Sequence, residues 1–279
     1  MAESYSDTPT TTDESTRNRL LNDETLRRIG VAIAGLFTLA VGVFLAYIVF
    51  FRVDPALLVQ VVYPQFTDAF LTVLRVVVIG SVCSVAAGVV VGLGRVSRTR
   101  FTRTVATGYI EFFRGTPLLF QLIVIFFGIP ALWPPGEFPI GNFAFVAAVI
   151  GLTLNHAAYI GEAIRGGIEA VPSGQMEAAR SLGLSYIQSM REVVLPQAWR
   201  NALAAIGNDQ VILVKDTSLL TVIAVPELIS AFRDVNSTNF DPWTPIVLVA
   251  IAYLMITIPL GKIVSYLERR ADPAGRSES

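Results

Sequence analysis

Histidine, cysteine and lysine are almost missing from this chain of 279 residues. It has one histidine, His156, and one cysteine, Cys83. A lone cysteine excludes an internal disulfide, and a lone histidine argues against a histidine-based metal centre. We therefore predict no metal site, and we expect Cys83 to be a small buried apolar residue. For His156 we expect packing or a local hydrogen bond rather than proton sensing.

Sequence signals for three further classes of activity are also missing. No G-x-x-x-x-G-K-[ST] stretch occurs, so the chain has no phosphate-cradling loop for ATP. The formal net charge of -1 argues against a nucleic-acid partner. No nucleophile stands at a recognisable spacing from a base. We therefore predict that the chain is not an enzyme and binds no cofactor itself.

Charged residues are scarce, at 15% of the chain, while 53% of residues are hydrophobic. This balance is typical of a membrane protein. Residues 1–28 are rich in serine, threonine and acidic side chains, which predicts a disordered tail. Residues 29–51 form the first apolar run, which is long enough to cross the roughly 30 Å of a bilayer. We predict a transmembrane helix there.

Further apolar runs indicate an all-α integral membrane protein with about six transmembrane helices. The additional predicted spans are residues 67–94, 108–132, 141–164, 199–231 and 243–266. Because the run at 199–231 is too long for one straight span, we expect its first part to be tilted or to lie at the inner surface. Residues 267–279 form a second predicted tail.

Arginine is distributed unevenly between alternate loops, which predicts the orientation of the chain. Arginines precede the first span, fill the loop after the second, flank the loop at 165–200 and follow the last span. The loops on the other side carry only Arg52 and Arg233. We therefore expect both termini and the 165–200 loop to face the cytoplasm.

A polar, helix-forming stretch at 173–196 separates the fourth predicted span from the fifth. Ser173 is a candidate N-cap for a short helix, and Gly183 is suited to end that helix in a left-handed conformation. Ser185 and Gln188 have the spacing of a capping box, which predicts a second short helix. Two short helices that meet at a glycine indicate either a plug for another protein's groove or an amphipathic linker on the membrane surface. Small alanines and balanced charge favour the plug, because surface linkers usually carry a basic face and bulky apolar residues.

The spacing of these residues resembles the EAA loop of ATP-binding cassette (ABC) importer permeases. In that family an E-A-A triplet is followed after three residues by glycine, and after nine more by an aliphatic residue, one residue and L-P. The matching positions, which the resemblance implies couple the chain to an ATPase, are Glu177, Ala178, Ala179, Gly183, Leu195 and Pro196.

Two further stretches are similar to the polar amino acid uptake branch of these permeases. One is the E-x-x-R-G-T-P-L segment from Glu111 to Leu118, and the other is K-D-T-S-L from Lys215 to Leu219. The resemblance implies a permease core over 67–266 that contains the coupling loop at 173–196, with 29–51 as an extra helix. It also implies a type I importer for polar or charged amino acids in the cell membrane.

The same resemblance implies the partners. Two ATPase subunits, which bind the ATP, would dock on the coupling loops of a permease homodimer or heterodimer. An extracytoplasmic solute-binding protein would deliver the amino acid.

Polar residues inside apolar spans are candidates for the substrate pathway, because charges in hydrocarbon are costly and usually line a path or form pairs. Arg75 could hold a substrate carboxylate or could form an ion pair with Asp216 or Glu162. Lys215 could lie in a locally unwound segment or could pair with Asp216 or Glu227. The candidate pathway residues are Arg75, Gln121, Asn155, Tyr159, Asp216 and Ser218. Interhelical hydrogen bonding is the alternative role for the uncharged members of this set.

An ion-coupled secondary transporter is the alternative function, with Lys215, Asp216 and Glu162 as relay groups. Such transporters are typically built from repeats with paired broken helices, and the sequence shows no convincing repeat. That alternative also leaves the pattern at 173–196 unexplained.

Overall fold

The computed structural model describes residues 11–271, with side chains from Glu24 onward, and divides into two compact units at residues 54 and 55. The first unit contains one helix, α1, from Thr11 to Phe51. We expected disorder over 1–28, but the helix already begins at Thr11, and residues 1–10 lie outside the described range. Within α1, Glu24 and Arg28 form an ion pair of 2.7 Å, because residues four apart are neighbours on a helix.

The second unit contains no strand among its described residues and consists of helices joined by loops. They are α2 (Pro55–Val61), α3 (Thr67–Arg95), α4 (Arg100–Gly115), α5 (Leu118–Ile123), α6 (Phe143–Glu169), α7 (Ser173–Ser181), α8 (Tyr186–Ser189), α9 (Leu195–Asp216), α10 (Leu228–Asn239) and α11 (Trp243–Ala271). Helix α6 is central, because α3, α4 and α9 all pack against it. The expected tail at 267–279 is helical as far as Ala271, and residues 272–279 lie outside the described range.

Four described segments are long and apolar enough to cross a membrane: Glu24–Phe51, Pro55–Arg95, Phe143–Glu169 and Trp243–Ala271. They match four of the predicted spans. The helical segments Arg100–Gly115 and Leu118–Leu132 meet at a bend of 102°. If this bent pair is one broken span, it forms a fifth crossing. This bent pair occupies the predicted span at 108–132.

The predicted span at 199–231 is not a single helix. Helix α9 ends at Asp216, a 3-10 segment runs from Thr217 to Ile223, and Ala224 takes a left-handed conformation with φ 59°. A new helix, α10, starts only at Leu228, where Glu227 provides the N-cap. The polar residues of α9 lower its hydropathy, and Pro226 cannot continue a helix.

Close packing of α3 on α6 depends on small residues, as expected for membrane helices. A Cβ atom on Gly88 would lie 2.5 Å from Ile160 Cγ2, and one on Gly92 would lie 2.9 Å from a backbone oxygen of α6. Glycine at both positions therefore permits the close approach of α3 to α6. At Gly80 the nearest atom is 3.9 Å away, which is ordinary contact. Cys83, which we expected to be buried, is exposed on α3.

Adjacent glycines near the end of α6 allow a direct test of this packing. A Cβ atom on Gly167 would lie 2.5 Å from the backbone oxygen of Ala198 on α9, whereas one on Gly166 meets nothing within 4 Å. We expect Gly167→Ala to lower the free energy of unfolding by about 1–3 kcal/mol, because backbone atoms cannot move aside cheaply. Gly166→Ala is the control and should be at least as stable as the parent, because alanine favours a helix more than glycine does. Thermal unfolding in detergent micelles gives the comparison, and equal midpoints for the two variants would show that α6 and α9 are not in close contact.

Candidate functional site

A helix break lies at the centre of the second unit. Helix α4 ends at Gly115 because Pro117 forces the preceding residue, Thr116, into an extended conformation with φ -117° and ψ 144°. The chain that continues into α5 turns by about a right angle, and the carbonyl groups at the end of α4 lose their helical partners. Such groups must find other donors when no water is present.

Two buried amide side chains supply those donors. Gln121 Nε2 donates to the Phe113 oxygen at 2.9 Å and to Thr116 Oγ1 at 2.8 Å. Asn155 Nδ2, on α6, donates to Gln121 Oε1 at 3.0 Å and to the Phe113 oxygen at 3.2 Å. The break is therefore tied to α6. This arrangement is the interhelical hydrogen bonding that we named as the alternative role for these two residues.

The break opens a cavity of about 490 Å³. Its walls are the α4–α5 connection, α6 and α9. Polar and charged side chains contributed by these elements are Arg114, Thr116, Asn155, His156, Tyr159, Asp209 and Asp216. Ligand cavities for small molecules commonly begin at about 300 Å³, so the space suits a small solute.

The predicted pathway residues separate into two groups. Asn155, Tyr159 and Asp216 line the cavity. Gln121 is buried behind its wall, Ser218 lies in the 3-10 segment after α9, and Arg75 is exposed on α3. These last three residues are outside the cavity lining.

The ion pairs proposed for the basic residues do not form within the described part of the chain. No described carboxylate lies within 4.0 Å of Arg75 or of Lys215. Glu162, one proposed partner of Arg75, instead bonds Arg165 at 2.7 Å. The guanidinium of Arg114 lies 3.8 Å from Glu162 and 5.4 Å from the ring centre of Tyr159. A basic group therefore faces the cavity at the end of α4.

His156 is the centre of a charged cluster that sequence reasoning missed. Its Nδ1 lies 3.1 Å from both carboxylate oxygens of Asp209. Its Nε2 lies 3.4 Å from Asp216 Oδ2, within ion-pair distance but outside hydrogen-bond geometry. The bond we expected to be local thus reaches another helix. The signal that was available is the spacing of the two aspartates, seven residues apart and therefore on one face of α9.

The coupling segment at 173–196 forms the two short helices that were predicted. Ser173 is the first residue of α7 rather than its N-cap, because Pro172 already holds the non-helical conformation. Gly183 has φ 89°. Its N–H donates to the Arg180 oxygen at 3.0 Å and the Leu184 N–H donates to the Ala179 oxygen at 3.2 Å. These two bonds form a Schellman motif, which fixes the turn.

The second limb of the coupling segment is fixed as well. Ser185 and Gln188 form the predicted capping box, with bonds of 2.8 and 3.3 Å. Pro196 lies in the first turn of α9, which directly follows the π-helical residues Met190–Val194. Ala179 is buried, Leu195 is half-buried, and the other predicted coupling residues that carry side chains, Glu177, Ala178 and Pro196, are exposed.

Two large apolar side chains project from this polar segment. Leu182 is 84% exposed and Ile187 is 76% exposed, on either side of the Gly183 turn. Contiguous exposed apolar patches mark surfaces that contact another protein, whereas single exposed apolar side chains are common. The segment is therefore a candidate docking surface, and the Schellman motif and the capping box hold it in one conformation.

Membrane-crossing helices, a cavity of small-solute size and an exposed docking segment together define a solute permease. The chain belongs to the family of binding-protein-dependent transport system inner membrane components, which it matches over residues 84–273. It is the membrane-spanning permease subunit of an amino acid importer of the ABC type, and not an ion-coupled secondary transporter.

Several relatives are similar over most of their length. The arginine transport system permease protein ArtQ of Bacillus subtilis (strain 168) is 33% identical over 74% of this chain and 92% of its own length. The probable glutamine ABC transporter permease protein GlnM of the same organism is 36% identical over 75% of this chain and 94% of its own. HisM of Salmonella typhimurium, a histidine/lysine/arginine/ornithine transport system permease protein, is 36% identical over 65% and 79%.

Solved structures show the same fold. The crystal structure of an amino acid ABC transporter with histidines matches at a TM-score of 0.71 and 34% identity, covering 78% of this chain and 99% of that one. An inward-facing MetNI methionine ABC transporter matches at a TM-score of 0.58 and 20% identity, covering 73% and 96%, and shows the fold alone.

Replacing Gln121 by leucine tests the repair of the helix break. The variant leaves the Phe113 carbonyl and the Asn155 amide without one of their partners, so we expect the free energy of unfolding to fall by about 1–3 kcal/mol. Gln60→Leu is the matched control, because Gln60 is exposed on α2. Unfolding of both variants in detergent micelles is the measurement. A Gln121→Leu protein as stable as Gln60→Leu would mean that the break needs no side-chain donors.

Proposed function

We propose that this chain is one of two permease subunits that enclose the path for a polar amino acid. Two ATPase subunits dock on the cytoplasmic ends of the pair, and an external solute-binding protein delivers the solute. Both termini and residues 173–196 face the cytoplasm in this arrangement. The distribution of arginine supports that orientation, since loops on the cytoplasmic side carry the excess of basic residues.

The proposed solute site is the cavity at the α4–α5 break. An amino acid carries an ammonium and a carboxylate group, and the cavity offers a counter-charge for each. Asp216 can hold the ammonium, because its side chain is 29% exposed. Arg114 can hold the carboxylate through two parallel bonds. Asn155 and Tyr159 add hydrogen-bonding groups to the same wall.

The observation that carries the proposal is the direct connection between the docking surface and the cavity. Helix α6, which bears Asn155 and His156, leads into α7 after only a short turn. Helix α9, which bears Asp209 and Asp216, begins where the coupling segment ends. Pro196 and Asp209 are thirteen residues apart, about 20 Å along a helix. A displacement of the segment is therefore transmitted through two packed helices to two adjacent walls of the cavity.

The positive φ of Gly183 provides a test of this lever. Neither Gly183 nor Gly174 has a neighbour within 4 Å of an added Cβ atom, but only Gly183 has a left-handed backbone. We expect Gly183→Val to disrupt the turn and to reduce amino acid uptake per ATP hydrolysed at least tenfold. A valine at this φ is a strained outlier. Gly174→Val should change this ratio much less.

The measurement is uptake and ATP hydrolysis in proteoliposomes that contain the permease and its ATPase, with the solute-binding protein supplied outside. Parent protein should show uptake of a polar amino acid that depends on ATP. Uptake per ATP that is the same in the Gly183→Val and parent proteins would overturn the role assigned to the segment.

A further inference from the structure

His156 is buried between two carboxylates at the cavity wall. Its side chain is 1% exposed, and it comes from α6, while Asp209 and Asp216 come from α9. Asp209 faces Nδ1 with both oxygens at 3.1 Å, and Asp216 faces Nε2 at 3.4 Å. Both ring nitrogens therefore meet a negatively charged oxygen. The import function proposed above assigns no role to this histidine.

The charge of the ring follows from its two neighbours. A neutral imidazole has one N–H and one lone pair, so one of its nitrogens would point a lone pair at a carboxylate. An imidazolium has N–H groups at both nitrogens and attracts both carboxylates. Two unpaired aspartates in a site surrounded by apolar helices would also be costly without a nearby cation. The geometry therefore fits a protonated ring.

A protonated His156 balances the charges of the cavity. Arg114 and His156 carry positive charge, and Asp209 and Asp216 carry negative charge, so the lining is neutral as a whole. Glu162, the carboxylate nearest to Arg114, is already bonded by Arg165 at 2.7 Å. A neutral lining accepts a zwitterion, whereas a further cation finds no uncompensated negative charge there, in a poorly screened site.

We propose that His156 is a tethered cation that takes the place of a cationic substrate side chain between Asp209 and Asp216. The cavity then selects amino acids with uncharged polar side chains and disfavours arginine and lysine. This inference rests on the proposed function, because it assumes that the cavity is the solute site. It makes His156 a specificity-determining residue and gives the solute class more narrowly than the family does.

Direct binding to the purified permease–ATPase complex tests the inference without interference from the solute-binding protein. Radiolabelled glutamine and arginine serve as probes. In the parent complex we expect glutamine to bind at least tenfold more tightly than arginine. His156→Asn removes the cation and leaves both carboxylates. The affinity for arginine should therefore rise at least tenfold relative to the affinity for glutamine. Parent complex that binds arginine as tightly as glutamine, or that binds neither, would overturn the inference whatever the variant does.

Two further variants separate charge from structure. His156→Lys restores a cation at the same position and should restore the preference for glutamine. In the double variant His156→Asn with Asp209→Asn, one of the two carboxylates is gone as well, so the gain in arginine affinity should largely disappear. A gain that persists in both variants would contradict the electrostatic explanation. Thermal unfolding of each complex shows that the variants are folded.

ATP-dependent uptake by the parent complex distinguishes this inference from the proposed function. Uptake of an amino acid together with equal binding of glutamine and arginine would leave the importer intact and reject the role of His156. An absence of ATP-driven uptake of any amino acid would reject the proposed function and the inference together.

Discussion

The requirement that backbone carbonyls be satisfied where water is absent governs the centre of this structure. Pro117 breaks the second crossing of the permease core and leaves the end of α4 without helical partners. Two amides, Gln121 and Asn155, complete the hydrogen bonds and attach the break to α6. Broken helices are tolerated at membrane depth where they line a cavity or are buried in protein. In this chain the break meets both conditions. The amides that stabilise it are buried, and the bend itself forms a wall of the solute-sized cavity.

The same central helix links the cavity to the docking segment. Helices α6 and α9 pack along each other through Gly167 and Ala198, and the segment that joins them contains a Schellman motif and a capping box. Both short helices are thereby fixed relative to the long helices beside them. Rigid elements transmit movement to a distant site when they have two discrete arrangements. Charged cavity residues lie on both α6 and α9, the two helices that a docked ATPase subunit would move.

Local patterns in the sequence were enough to predict the coupling segment. A left-handed glycine and the Ser185–Gln188 box depend on residues within one turn of each other, and hydropathy alone located most of the spans. Partners across helices were not predictable in the same way. Arg114 lies within ion-pair distance of Glu162 on α6, and His156 contacts aspartates on α9. Such pairings depend on how each helix is rotated about its axis and on the bend at Pro117. Neither can be derived from a few neighbouring residues in the sequence. The end of α9 at Asp216 agrees with the local unwinding that the polar residues from Lys215 to Ser218 suggested as one alternative, whereas the start of α10 after Pro226 was not predicted.

The side of the membrane on which residues 173–196 lie is the most direct test of the whole account. A Glu177→Cys variant in a Cys83→Ser background carries a single thiol in the exposed first helix of the segment. Labelling with a membrane-impermeant maleimide should occur in inside-out vesicles and not in right-side-out vesicles. Added ATPase subunit should protect the thiol. Labelling of this introduced thiol in intact right-side-out vesicles would place the segment outside the cell, where no ATPase could act on it, and would contradict the account.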